Sequence, residues 1–203
     1  MSSAPEPTRL APSRRPKALQ ERVAGAILEA AARVLAVRGE QASMNDVATE
    51  AGVARATLYR YFPSRQALLD ELGRIAADDA GRRLAAARIE EVAAEEGVRR
   101  AVRALVEVGD SFVVVARERV RPDPEQFEQS VAGPLRRLFE RGQSGGQIRG
   151  DIPSSWLADS LVGLVVSVLP SRPALGREDT IAAAATLFLE GARARPDPTL
   201  LQT

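Results

Sequence analysis

The chain contains neither cysteine nor histidine. Without cysteine there is no disulfide and no thiolate metal site. Without histidine the commonest general base, the imidazole metal ligand and the usual near-neutral pH switch are all missing. Aromatic residues make up only 4%, and Lys17 is the one lysine among the 28 basic residues. No apolar run reaches the ~18 residues that a membrane span requires. The opening Met-Ser-Ser-Ala-Pro-Glu-Pro-Thr-Arg lacks the apolar stretch of a signal peptide. These shortages set aside most enzyme chemistry, disulfide scaffolds and membrane proteins. The expectation is a cytoplasmic, non-enzymatic protein with no metal, no cofactor and no membrane contact.

What the chain does have is helix-forming material and an uneven charge. Its 203 residues are 45% apolar, enough for one sizeable core or two small ones. The net charge of +1 divides into +4 over residues 1–65 and −3 over residues 66–203. A basic front suits contact with a polyanion by the N-terminal part alone, and arginine suits bidentate contact with guanine and phosphate. Pro5, Pro7, Pro12 and Pro16 make residues 1–17 an expected disordered arm. Its Arg14, Arg15 and Lys17 are of the kind that lies in a minor groove or is simply solvated.

From Ala18 to Arg38 the residues Val23, Ile27, Ala31, Val34 and Leu35 recur at helical spacing, and Gly39 supplies the stop. Ser43 and Asp46 form a capping-box pair before a short helix from Met44 to Ala51, which Gly52 ends. A second short helix spans Ala54 to Tyr61, and Pro63 forbids its continuation. Ser64 then caps a long helix through Leu68, Leu69, Leu72 and Ile75 to about Arg88. Further helices are expected over Val98–Arg119, Gln126–Arg141 (ended by Gly142 and Gly145-Gly146), Ser154–Leu169 and Asp179–Arg195. Phe112-Val113-Val114-Val115 is the only stretch that tempts toward a strand, and no convincing alternating pattern appears, so the fold expected is all-α.

The pair of short helices has the layout of a helix-turn-helix: small Ala48 at the crossing, Gly52 at the turn, and Val47, Val53, Leu58 and Phe62 inside. At ~100° per residue, Ala56, Thr57 and Arg60 face outward, flanked by Arg55, Tyr59 and Tyr61. Arg55 and Arg60 can donate to guanine O6 and N7 or pair with phosphate. Thr57 offers a hydroxyl or a methyl, Tyr59 and Tyr61 can donate to phosphate oxygens, and Ala56 permits close approach.

The run from Ile27-Leu28-Glu29-Ala30-Ala31 through Gly39, Ser43-Met44, Val47-Ala48 and Ala51-Gly52-Val53 to Thr57-Leu58-Tyr59-Arg60-Tyr61-Phe62-Pro63-Ser64-Arg65 and Leu68-Leu69 resembles the TetR (tetracycline-repressor-like) family of bacterial transcription regulators. It covers about a quarter of the chain. The resemblance implies phosphate contacts at Ser43, Tyr59, Tyr61 and Arg65, and base reading at Arg55, Ala56, Thr57 and Arg60. It also implies an N-terminal three-helix helix-turn-helix DNA-binding domain (18–65), joined to a C-terminal helical ligand-binding and dimerisation domain (66–203). Ala54 departs from the pattern, since the family often has serine or threonine there; alanine can neither cap the helix nor touch a phosphate.

Residues 161–169 are apolar nearly all round, so that helix needs cover on more than one side. The stripe Ser160, Gly163, Ser167 and the run Ala182–Ala185 permit close helix approach. They suggest a homodimer through a four-helix bundle and an inverted-repeat operator of double-stranded DNA; the alternative is that both helices are plain core. Phe112, Phe127, Phe139 and Trp156 are candidates for an effector pocket or for core. Gly142-Gln143-Ser144-Gly145-Gly146 matches a nucleophile-elbow pattern but follows a helix and has no histidine base. The reading that results is a homodimeric repressor released from its operator by a small molecule. The alternatives are a ligand-independent regulator or activator, and a small-molecule binding protein with a degenerate DNA head.

Overall fold

A computed structural model describes residues 15–118, 120, 123–169 and 175–194. Among them the chain is all-α, with helices α1 (Arg15–Arg38), α2 (Met44–Glu50), α3 (Arg55–Tyr61), α4 (Arg65–Ala86), α5 (Ala94–Val106), α6 (Asp110–Arg117), α7 (Pro124–Phe127), α8 (Gly133–Ser144), α9 (Ser154–Val168) and α10 (Arg177–Ala192). A π-helical turn, Glu128–Ala132, joins α7 to α8. Helix α1 starts three residues earlier than the periodicity predicts, with Pro16 in its first turn, where a missing N–H costs nothing. The rest of the N-terminal arm lies outside the described residues.

Two apolar cores organise these helices. The first gathers Ile27, Ala31 and Leu35 of α1, Val47 and Ala48 of α2, Leu58 of α3 with Phe62 beyond it, and Leu68, Leu69 and Leu72 of α4. The second is built on α5 (Val98, Val102, Leu105), α8 (Leu135, Leu138, Phe139), α9 (Leu157, Leu161, Val165) and α10 (Ile181, Phe188, Leu189). The Phe139 and Phe188 rings meet there with centroids 5.5 Å apart, a tilted aromatic contact. Near the chain's end, Arg149 N–H donates to the Ala192 carbonyl and Ala194 N–H to that of Gln147, at 2.9 and 3.2 Å.

Helix α4 runs through the expected boundary at residue 65 and serves both cores, its first turns in the head and Ala76, Ala80 and Leu84 in the body. Helix α6 does the same from the other side. Its Phe112 is body core, whereas Val114, together with Val120 beyond the helix, packs into the head.

Three departures from the sequence reading have local causes. The helix expected over 98–119 is two helices, because Gly109 takes φ +85° and ψ −152°, a conformation essentially confined to glycine. Of the glycines expected to end the next helix, Gly142 does not stop it; the helix runs on to Ser144 and Gly145 caps it. The role of Gly142 is close packing, since a Cβ there would lie 2.6 Å from Ile148 Cγ1 and 2.7 Å from Ala94 Cβ. The π turn is matched to Gly133 and Pro134: Gly133 N–H reaches back five residues to the Glu128 carbonyl, and Pro134 has no N–H to donate. Phe112 and Phe139 are buried and Phe127 is half-buried, but Trp156 is 69% exposed and lines no core.

A Cβ at Gly109 would meet nothing within 4 Å, so substitution there tests backbone strain without a clash. Gly109→Ala is expected to lower stability by about 1–3 kcal/mol, read as a shift in the urea midpoint with an unchanged slope.

Candidate nucleic-acid interface

Helix α2 begins with a complete capping box. Ser43 Oγ accepts from Asp46 N–H at 3.2 Å, and Ser43 N–H donates to Asp46 Oδ2 at 2.9 Å. The Ser43 hydroxyl also donates to Asp46 Oδ2 at 2.6 Å. Both of the donors of Ser43 are therefore held by Asp46, and the residue acts here to shape the helix start. Arg38 Nη1 grips the other oxygen of Asp46 at 2.7 Å. These hydrogen bonds, Ser43's first, hold the Asp46 carboxyl below its ordinary value.

Gly52 turns the chain with φ +66°, and Val53 N–H returns to the Ala48 carbonyl at 3.0 Å. Ala54 then opens α3 in extended backbone with no side-chain cap. The helix is held from inside by Leu58 and Phe62, both buried. Phe62 is extended, and Ser64 starts α4 by accepting from Ala67 N–H at 3.0 Å.

The outer side of α3 carries the expected residues. Arg55, Ala56 and Arg60 are exposed, while Thr57, Tyr59 and Tyr61 are half-buried. The Arg55 guanidinium lies 5.3 Å from the centre of the Tyr59 ring, and that of Arg60 lies 5.4 Å from the centre of Tyr61. Thr57, Arg60 and Tyr61 also edge an open, mostly apolar groove of about 580 Å³ shared with Leu19 and Val23 of α1.

Arg65 lies elsewhere. Its guanidinium forms a fork with Glu118, at 2.8 Å to Oε2 and 3.1 Å to Oε1, and reaches the Gly39 carbonyl at 3.3 Å. The Glu118 side chain is only 5% exposed. Next to it, Arg117 Nη1 donates to the Ala36 carbonyl at 2.6 Å. Thus the end of α6 is tied to the end of α1 and the start of α4. Sequence reasoning missed Glu118 and Arg117, because both partners lie more than fifty residues away and nothing local marks them.

Other motifs carry no site. Ser144 of the Gly-x-Ser-x-Gly pattern sits in the last turn of α8 and donates to the Glu140 carbonyl at 2.9 Å. Among the described residues no three acidic side chains are placed to hold a metal ion, and no helix is long and apolar enough to cross a membrane.

Comparison with known proteins agrees with this geometry. Residues 27–72 match the sequence model of bacterial regulatory proteins, tetR family. The TetR-like regulator LfrR from Mycobacterium smegmatis, solved with proflavine, is 26% identical; the match covers 86% of this chain and 99% of that one, with a TM-score of 0.68. AibR, solved with isovaleryl coenzyme A and operator DNA, is 22% identical over 81% and 97% of the two chains, TM-score 0.65. The ketosteroid regulator KstR2 of Mycobacterium tuberculosis is 21% identical over 85% and 95%, TM-score 0.65. Comparison with curated proteins gives no significant match. The chain thus carries a helix-turn-helix region similar to that of the tetR family over residues 27–72, and its fold is TetR-like, with that head on a helical body.

Two outcomes follow from the ties just described. Arg65→Ala strands the buried Glu118 carboxylate and is expected to cost about 2–3 kcal/mol, against about 1 kcal/mol for Glu118→Gln, as measured by chemical denaturation. Asp46, whose pKa is lowered on folding, stabilises the head fully above about pH 4. That contribution disappears as pH falls through the lowered value. Faster amide exchange in α2 on acidification, absent in Asp46→Asn, checks it.

Proposed function

We propose that this protein is a homodimeric repressor that binds an inverted-repeat operator through α3 and leaves it when a small-molecule effector occupies the body. The observation that carries the DNA-binding part is the outer side of α3, where Arg55 and Arg60 are exposed and have no carboxylate partner among the described residues. Between them lie Ala56 and Thr57, small enough for a groove wall or floor to approach. Arg55, Ala56, Thr57 and Arg60 would read bases. Tyr59 and Tyr61 would donate to phosphates from the flanks, with Ser43 fixing the entry of α2. Arg65 reaches a phosphate only by giving up part of its fork with Glu118, so its first role in this reading is to join head and body.

Dimerisation is supported by a stripe on α9. Trp156, Ser160, Gly163 and Ser167 fall at spacings of four, three and four, all exposed, with Leu187 of α10 exposed too. A tryptophan at the end of a small-residue track is a face that a second helix pair can cover closely. A symmetric pair of heads then meets two major grooves about one turn apart, which requires an inverted repeat.

Effector response is supported by the shared helices. An effector shifts the protein only by its differential affinity for two arrangements. Since α4 and α6 each belong to both cores, a body that repacks around a ligand moves head residues with it. Relatives of this fold have been solved with small molecules, proflavine and isovaleryl coenzyme A among them. A cytoplasmic, non-enzymatic protein fits all of this.

Selection of bound duplexes from a random pool is expected to return an inverted repeat. Affinity for it should fall by about 0.9 log units per contacted phosphate for each tenfold rise in salt. Arg60→Ala should weaken binding at least about tenfold and relax preference at one position of each half-site. A non-palindromic or featureless pool, or binding insensitive to salt, would overturn the proposal.

A further inference from the structure

Both tyrosines of the chain stand on the recognition helix, and each has an arginine stacked on it. The Arg55 guanidinium is 5.3 Å from the Tyr59 ring centre, and that of Arg60 is 5.4 Å from the Tyr61 centre. At such distances the negative face of the ring attracts the cation. The rings themselves are half-buried and packed against the head core, whereas the two arginines are exposed. Each pair therefore has an anchored partner and a mobile one, and the ring fixes the arginine.

Several exposed arginines elsewhere are held differently. Arg74 is gripped by Glu71 and Asp78, and Arg103 by Glu178. A carboxylate uses the guanidinium's in-plane N–H groups and brings a negative charge that a phosphate backbone repels. A ring holds the cation through its face, leaving the in-plane donors free for an acceptor pair such as guanine O6 and N7. The two pairs also reach this state by different routes. Arg55 and Tyr59 are four residues apart and natural neighbours on one face. Arg60 and Tyr61 are consecutive and diverge by ~100°, so Arg60 leans from the middle of the outer face toward its flank. That leaves exposed Ala56 and half-buried Thr57 between two fixed guanidinium groups.

We propose that Tyr59 and Tyr61 are positioning residues for sequence readout, orienting Arg55 and Arg60 before DNA arrives so that little side-chain freedom is lost on binding. This rests on the DNA-reading role proposed above for α3. It adds to the tyrosines a function that does not use their hydroxyls.

The test compares Phe and Leu at position 59 in the full chain, each with Arg55 intact and with Arg55→Ala. Binding is measured to the selected inverted repeat and to a scrambled duplex. Phenylalanine keeps the ring and loses only the hydroxyl. With Arg55 present, Tyr59→Leu is expected to bind the inverted repeat about tenfold more weakly than Tyr59→Phe, with little difference on scrambled DNA. With Arg55→Ala the two should bind alike. Equal binding with Arg55 present, or a Phe–Leu gap that survives Arg55→Ala, overturns the proposal while leaving DNA reading by α3 intact. If Arg55→Ala itself leaves affinity for the inverted repeat unchanged, the reading role of Arg55 falls first and the proposal with it. Should Tyr59→Leu unfold the head, as far-UV circular dichroism would show, the same four variants at Tyr61 and Arg60 decide the matter.

Discussion

The structure turns on an apolar seam that belongs to head and body at once. Val114 of α6 and Val120 beyond it sit among Leu68, Leu69 and Leu72 of α4. Val120 packs so tightly against α4 that a Cβ on Gly73 would come within 2.9 Å of its Cγ1. Close-packed interiors deform little and switch between discrete arrangements. A head that shares its core with α6 therefore cannot reorient freely. It moves with α6 or repacks. The fork between Arg65 and buried Glu118 closes the same seam with charge, adding direction to a contact that burial alone would leave slippery.

This coupling gives Gly109 its significance. Helix α6 is eight residues long, with glycine-only backbone at its start and its far end clamped to α1 and α4. Its start thus depends on one glycine, and its end on contacts that join three helices.

Much of the head was legible in the sequence because its signals are local. The Ser43–Asp46 box, the left-handed Gly52, the uncapped Ala54 and the inward pair Leu58 and Phe62 each depend on residues within a turn or two. The helices of the body were legible too, with their ends misplaced by a few residues. What stayed hidden depends on distant partners. Arg65 reads as a phosphate ligand until Glu118, 53 residues on, is placed beside it. The Phe-Val-Val-Val stretch after Gly109 continues an apolar period, which masks the break that Gly109 makes. Gly142 looks like a stop, and only the approach of Ile148 and Ala94 shows it to be a packing site. Trp156 looks like core by composition, yet the chain leaves it bare.

The ion pairs that cover the body also govern how the molecule meets its target. Arginines along α4, α5 and α8 are already matched by neighbours such as Asp78, Asp79, Glu96 and Glu90, so the body presents little uncompensated positive charge. The arginines of α3 are matched by rings that leave their charge intact. In the DNA-binding role proposed above, this uneven matching among the described residues would favour encounter through α3, raising the association rate at low salt and fading as the screening length shrinks below the size of the head.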